Sequence, residues 1–194
     1  MNPIAGMGGR VGLKGTDGVL KEATRMGAKP VAPDRASEFL RGLRSLDIKP
    51  PIEIITCPKS MGEAAVQAAG LRAGILSMPL KSRTTAEDTR LAVELMLGSG
   101  VDLLVFVGGD GTARDILDAM RGLKEPPVLG VPSGVKMYSG IFAVSPLDAA
   151  EIVGAFTNGL TEMNDFEIID VDETAVRSDS FSMRLYGLLR GPFV

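Results

Sequence analysis

Residues 108–112, Gly-Gly-Asp-Gly-Thr, combine the residue types of this sequence that are best suited to chemistry. An apolar run at residues 101–107 precedes them, and a helical pattern follows at once. The apolar face of that pattern consists of Ala113, Ile116, Leu117, Met120 and Leu123. The segment therefore predicts a buried strand, a glycine turn and the N-terminus of a helix.

Phosphate binding is the chemistry that this turn favours. Glycines let the backbone bend sharply and let a ligand approach without meeting a Cβ. Free N–H groups and the positive end of the helix dipole attract phosphate. Asp110 is unexpected beside an anion, so we interpret it as a contact to Mg²⁺ or as a base that removes a proton. The alternative is an ordinary strand-to-helix turn in which Asp110 caps the helix, although such a turn needs one glycine and not three.

Composition excludes several classes of function. The net charge of −3 argues against nucleic acid as a partner. No stretch approaches 18 apolar residues, and the first residues lack a signal-peptide pattern, so we expect no membrane span. The single cysteine, Cys57, is typical of a reducing cytosol and predicts a cytoplasmic protein. Because there is no histidine, acid–base or metal chemistry must fall to carboxylates.

Strands alternate with helices along residues 1–160, which predicts a mostly parallel sheet with helices on both faces. The predicted strands are residues 52–56, 101–107 and 127–131. The predicted helices are one capped by Asp34, residues 61–69, residues 86–97 with a capping box of Thr84 and Glu87, one after the glycine turn, and one that begins at Pro146. We interpret residues 1–160 as an α/β nucleotide-binding domain.

The pattern changes after residue 160. Residues 166–171 form a predicted strand, and Phe181, Met183 and Leu185 alternate with polar residues, as in an antiparallel strand with one wet face. We interpret residues 161–194 as the beginning of a C-terminal β domain that is incomplete in this chain. Because such a domain would leave strand edges exposed, we expect a homo-oligomer.

The Gly-Gly-Asp-Gly-Thr sequence is a signature shared by NAD kinases, diacylglycerol kinases and sphingosine kinases. Further matching segments are residues 2–9 (Asn-Pro-Ile-Ala-Gly-Met-Gly-Gly), 12–18 (Gly-Leu-Lys-Gly-Thr-Asp-Gly), 112–115 (Thr-Ala-Arg-Asp), 131–136 (Val-Pro-Ser-Gly-Val-Lys) and 184–187 (Arg-Leu-Tyr-Gly). With these segments the chain resembles the microbial ATP-NAD kinase-like proteins. The resemblance implies an α/β domain followed by a β domain, with the active site between them, and small-molecule nucleotides as partners.

The resemblance also implies roles for individual residues. Asp110 would be the base for the ribose 2′-hydroxyl of NAD, or would contact Mg²⁺ directly or through water, with ATP or polyphosphate as donor. The residues expected to bind nucleotide are Asn2, Gly8, Gly9, Lys14, Gly108, Gly109, Gly111, Thr112, Ser133, Gly134 and Lys136. The last three follow the strand at 127–131, and ligands of parallel sheets gather at the carboxyl ends of strands.

Two other functions remain open from the sequence. A lipid kinase of the diacylglycerol type is disfavoured, because residues 132–136 lack the Gly-Thr-Gly-Asn-Asp run of those enzymes and no basic amphipathic helix is present. A non-catalytic nucleotide-binding regulator would have kept the fold and lost turnover. The family normally begins with a strand before the Asn-Pro segment, so we also expect this chain to be a fragment.

Overall fold

The computed structural model describes residues 1–5, 7, 24–80, 84–120, 122–123, 125–134, 137–171 and 182–194. The helices are α1 (Ala32–Ser45), α2 (Glu63–Ala68), α3 (Ala86–Gly98), α4 (Asp110–Met120) and α5 (Pro146–Thr157), with a 3₁₀ turn at Lys59–Met61. The strands are β1 (Ile55–Thr56), β2 (Gly74–Ile75), β3 (Leu104–Gly108), β4 (Val128–Pro132), β5 (Glu162–Val171) and β6 (Met183–Phe193).

The parallel pair β3–β4 lies at the centre of the described fold. Its register runs from Leu104 opposite Val128 to Gly108 opposite Pro132. Successive side chains of a strand point to opposite faces, and the two hydrophobic clusters of the core follow this alternation. Val107, Leu129 and Val131 belong to the first cluster, whereas Leu104, Phe106 and Val128 belong to the second.

Helices cover both faces of this pair. The first cluster is completed by the apolar faces of α1 and α5, which approach closely enough that a Cβ on Gly42 would lie 3.0 Å from Leu147 Cδ2. The second cluster is completed by α4, by Val93 of α3 and by the β5–β6 ribbon through Ile168 and Leu189. The predicted mixed α/β fold, with helices on both sides of parallel strands, is therefore present.

The predicted continuous sheet is not present among the described residues. Their strands pair as three two-stranded sheets: β1–β2 and β3–β4 are parallel, and β5–β6 is antiparallel. The strand predicted at residues 52–56 is reduced to Ile55–Thr56, which pair with the two residues of β2. The division of the chain at residue 160 stays a prediction.

Two predicted helix starts and one predicted cap were wrong by one to three residues. Helix α2 begins at Glu63 and not at Met61, whereas α3 begins at Ala86, as predicted. Helix α1 begins at Ala32, so Asp34 lies inside the first turn and does not cap it. The capping box of α3 consists of Thr85 and Asp88, one position after the predicted pair. Here the Thr85 N–H donates to the Asp88 carboxylate at 2.7 Å. Helix α5 begins at Pro146, as predicted.

The predicted face of β6 was also wrong. Leu185 was expected to point inwards, but 55% of it is exposed, whereas Leu189 is 2% exposed. The register passes from Ile168 opposite Gly187 to Ile169 opposite Leu185, so Tyr186 is the extra residue of a bulge. A bulge of one residue reverses the face that the following side chains present.

Candidate functional site

The predicted strand, turn and helix are confirmed at residues 104–120. Strand β3 ends at Gly108 and α4 begins at Asp110. Ala113, Ile116 and Met120 are buried in the second cluster, as the helical pattern predicted. Leu123 is the exception, since it follows the end of α4 and is 56% exposed.

Gly108 is required by packing within the turn. A Cβ at this position would lie 2.6 to 2.8 Å from three side-chain atoms of Thr112, which is 5% exposed. Contacts this short would force the turn to open. The side chain of Thr112 therefore fills the space above Gly108. This packing alone makes glycine necessary at position 108, whether or not a ligand binds nearby.

Gly109 and Gly111 have a different environment. Apart from the adjacent residues and the backbone of α4 itself, no described atom lies within 4 Å of a Cβ built at either position. Neither residue has the left-handed backbone conformation that would require glycine. Within the described part of the chain, the first turn of α4 is thus open to approach at both glycines, which is the condition that a ligand on the backbone N–H groups needs.

Asp110 is 8% exposed and hydrogen-bonded through both carboxylate oxygens. The Ser139 N–H donates to Oδ1 at 2.9 Å, and the Tyr138 N–H donates to Oδ2 at 2.9 Å. The carboxylate therefore ties the first residue of α4 to residues 137–140. Sequence reasoning missed these partners, because they lie 28 and 29 residues away and donate through the main chain, which any residue type can do.

Ser139 links the same segment to β5. Its hydroxyl donates to the Ile169 carbonyl at 3.0 Å and accepts the Ile169 N–H at 3.0 Å. The Gly140 N–H donates to the Glu167 carbonyl at 2.9 Å. The Asp110 carboxylate is therefore connected to β5 through a continuous series of hydrogen bonds.

Asn2 and Ser133 lie on either side of the carboxyl end of β3. The Asn2 N–H donates to the Val107 carbonyl at 3.1 Å, and the Ser133 N–H donates to the Gly108 carbonyl at 3.0 Å. The Asn2 side chain accepts the Ile4 N–H at 3.2 Å, which shapes a local turn. The structure thus places these two predicted residues next to the glycine turn.

Ser133 carries an unsatisfied hydroxyl in a buried position. It is 2% exposed, and its Oγ has no hydrogen-bond partner within the described part of the chain. Gly134 follows it and directs its N–H toward the Met137 sulfur at 3.3 Å. Gly8, Gly9, Lys14 and Lys136 lie outside the described residues.

Charged residues next to the turn form ion pairs. Arg114 lies 3.3 Å from the Asp170 carboxylate and 5.2 Å from the centre of the Tyr186 ring. Asp115 is 6% exposed and pairs with Arg90 of α3 at 3.1 Å. These pairs join α4 to α3 and to the β ribbon.

A separate open cleft of about 520 Å³ lies between α3, α4 and β6. Its lining residues are Arg90, Leu117, Asp118, Gly122 and Tyr186.

Within the described ranges, no group of three or more Cys, Asp or Glu side chains could hold a metal ion. None of the described helices is long and apolar enough to cross a membrane.

A family model described as the ATP-NAD kinase N-terminal domain matches residues 15–161. The chain belongs to this family. The matched region contains β3, the glycine turn, α4 and β4, so Asp110, Ser133 and Ser139 lie inside the ATP-NAD kinase homology, whereas Asn2 and Ile169 lie outside it. No curated protein and no solved structure shows significant similarity to the chain.

Proposed function

We propose that this protein is an NAD kinase-like phosphotransferase that transfers a phosphoryl group from ATP or polyphosphate to the 2′-hydroxyl of NAD. Family membership supports the kinase class. The observation that carries the proposal is the open first turn of α4 at Gly109 and Gly111, at the carboxyl edge of β3–β4. Ligands of parallel α/β sheets bind at this edge.

Phosphoryl transfer requires the protein mainly to align the reacting groups and to stabilise the charge of the transferred phosphoryl group. In our proposal the backbone N–H groups of residues 109–112 and the dipole of α4 bind the phosphates. Ser133, whose buried hydroxyl lacks a partner among the described residues, is a further candidate donor. Asp110 would accept the proton of the ribose hydroxyl, because each oxygen keeps a lone pair beyond the backbone N–H that it accepts.

Mg²⁺ fits this arrangement as a nucleotide-borne cofactor. Protein sites usually bind it through one or two carboxylates, with water and substrate phosphates completing the coordination. Asp110 supplies one carboxylate next to the open turn, and the remaining lone pairs of its oxygens could contact the ion directly or through water. When bound, the ion would neutralise phosphate charge.

The test measures NADP⁺ formation with ATP or polyphosphate as donor in the presence of Mg²⁺. Gly111→Ala should raise the KM for the donor about tenfold or more, because the new methyl group occupies the open approach to the backbone. Its folding should be unaffected or slightly stabilised, since alanine is the better helix former by up to ~1 kcal/mol. Gly98→Ala, at an equally open position at the end of α3, is the matched control.

The outcomes separate the candidate functions. Absence of NADP⁺ from folded wild-type protein with both donors would contradict the proposal. Nucleotide binding without turnover would favour the regulator, and phosphorylation of diacylglycerol would favour the lipid kinase. A normal donor KM in Gly111→Ala would show that phosphate does not bind at the open turn.

A further inference from the structure

We propose that Ser139 is a positioning residue that fixes the Asp110 carboxylate at the start of α4. The inference deepens the phosphotransferase proposal above and rests on it for the kinetic effect. Ser139 acts through Asp110, since its hydroxyl bonds to β5 while its N–H bonds to the carboxylate.

The two donors to Asp110 set the orientation of its carboxylate. Tyr138 and Ser139 are consecutive residues, and each donates one N–H at 2.9 Å to a different oxygen. A single hydrogen bond would leave the carboxylate free to rotate about it, whereas two bonds from adjacent peptide groups define its plane. A base must be held in such a fixed geometry, because a displacement of about 1 Å can lower a rate ~100-fold.

The position of those donors depends on the Ser139 side chain. Residues 137–140 lie outside the helices and strands, and a backbone hydrogen bond from the Gly140 N–H to the Glu167 carbonyl joins them to β5. The Ser139 hydroxyl adds two more bonds, to the N–H and to the carbonyl of Ile169, and Ser139 is 7% exposed. Next to it, a Cβ on Gly140 would lie 3.3 Å from the ring of Phe166, so the segment sits directly against β5.

Removal of the hydroxyl should therefore move the carboxylate. Ser139→Ala leaves the N–H and carbonyl of Ile169 without these partners in a partly buried location. Unsatisfied buried groups are costly, so the segment shifts or water enters between it and β5. Either change displaces the two N–H groups that hold Asp110. The backbone of residues 109–112, which we propose binds phosphate, is not bonded to this hydroxyl and should be unaffected.

The kinetic test compares Ser139→Ala with Ser37→Ala at a temperature at which both are fully folded. Ser37 is the matched control, because its hydroxyl also donates to a backbone carbonyl but lies on α1. We expect Ser139→Ala to lower kcat about 10- to 100-fold while the donor KM stays within about twofold of wild type. An unchanged kcat, or an equal rise in KM, would overturn the positioning role.

Hydrogen exchange tests the inference independently of any activity. We expect the amides of Tyr138 and Ser139 to exchange about tenfold faster in Ser139→Ala, the factor that one lost hydrogen bond produces. Unchanged exchange would overturn the inference even in an active enzyme. Faster exchange in a protein that forms no NADP⁺ would support the link and contradict only the proposed function.

A second substitution covers the case in which Ser139→Ala does not fold. Ser139→Cys keeps the shape of the side chain and replaces the hydroxyl with a weaker donor and acceptor. We expect the amides of Tyr138 and Ser139 to exchange faster than in wild type and kcat to be lower. Both changes should be smaller than those in Ser139→Ala. Wild-type values for both measurements in folded Ser139→Cys would overturn the inference.

Discussion

Asp110→Asn should destabilise the fold as well as affect any chemistry at this position. Asparagine has the shape of aspartate, and it is the usual substitution for removing a catalytic carboxylate. Here, however, both oxygens accept a backbone N–H at 2.9 Å. The amide of asparagine offers one oxygen and one NH₂ group, so one of these N–H donors would face another donor.

The size of the effect follows from these contacts. A hydrogen bond to a charged group contributes about 1.5–3 kcal/mol, and a neutral one about 0.5–1.5 kcal/mol. Asparagine would keep one bond in the weaker neutral form and lose the other, which leaves a buried N–H unsatisfied. Loss of negative charge at the start of α4 adds about 0.3–1 kcal/mol. We expect the free energy of unfolding to fall by about 3–5 kcal/mol.

Thermal unfolding measures this change. For a chain of this size, 1 kcal/mol corresponds to about 2–4 °C, so Tm should fall by about 6–20 °C. Asp118→Asn is the control, because it makes the same substitution at an exposed position of the same helix. Tm values for the two variants within about 1 °C of each other would refute the structural role of the Asp110 carboxylate. A loss of kcat in Asp110→Asn is therefore interpretable only together with the Ser139 variants.

Two further predictions concern the packing of the core. Gly191→Ala should destabilise the protein by more than about 2 kcal/mol, since the new Cβ would lie 2.6 Å from the Val128 carbonyl oxygen and force β6 away from β4. The control Gly98→Ala, whose new Cβ meets no described atom within 4 Å, should be nearly neutral. Equal unfolding temperatures of the two variants would contradict the prediction. Burial raises the pKa of the Cys57 thiol above its ordinary value of 9.0, so a thiol reagent at pH 8 should modify the chain only after unfolding. Rapid labelling of the folded protein would argue against this burial. Because the thiol of the unfolded chain ionises at a lower pH than the buried thiol, the free energy of unfolding should also decline as pH rises above about 9. Cys57→Ala should remove this decline.

Local patterns in the sequence were sufficient for the strand, turn and helix of the site. The apolar run, the three glycines and the spacing of Ala113, Ile116 and Met120 each depend on neighbouring residues, and all three agree with one structure. The start of α5 at Pro146 was predictable for the same reason, since proline fits the first turn of a helix and little else.

Contacts between distant segments were not predictable in this way. The sequence presented Gly108 as a place for a ligand, yet the side chain of Thr112 occupies the space in question. The bulge at Tyr186 reverses the face to which the side chains of β6 point, and the residue type at that position does not predict a bulge. The partners of Asp110 are main-chain groups, so no side chain in residues 137–140 indicates where they point.

The hydrogen bonds from Asp110 through Ser139 to Ile169 have a consequence for the order in which the protein is made. Asp110 leaves the ribosome 59 residues before Ile169, the residue that completes its support. The turn and α4 can form early, but the carboxylate acquires its final orientation only when β5 has been synthesised and docked. The family homology ends at residue 161, eight residues before that partner. A recombinant domain cut at the homology boundary would thus retain Asp110 and lose the strand that holds it in place.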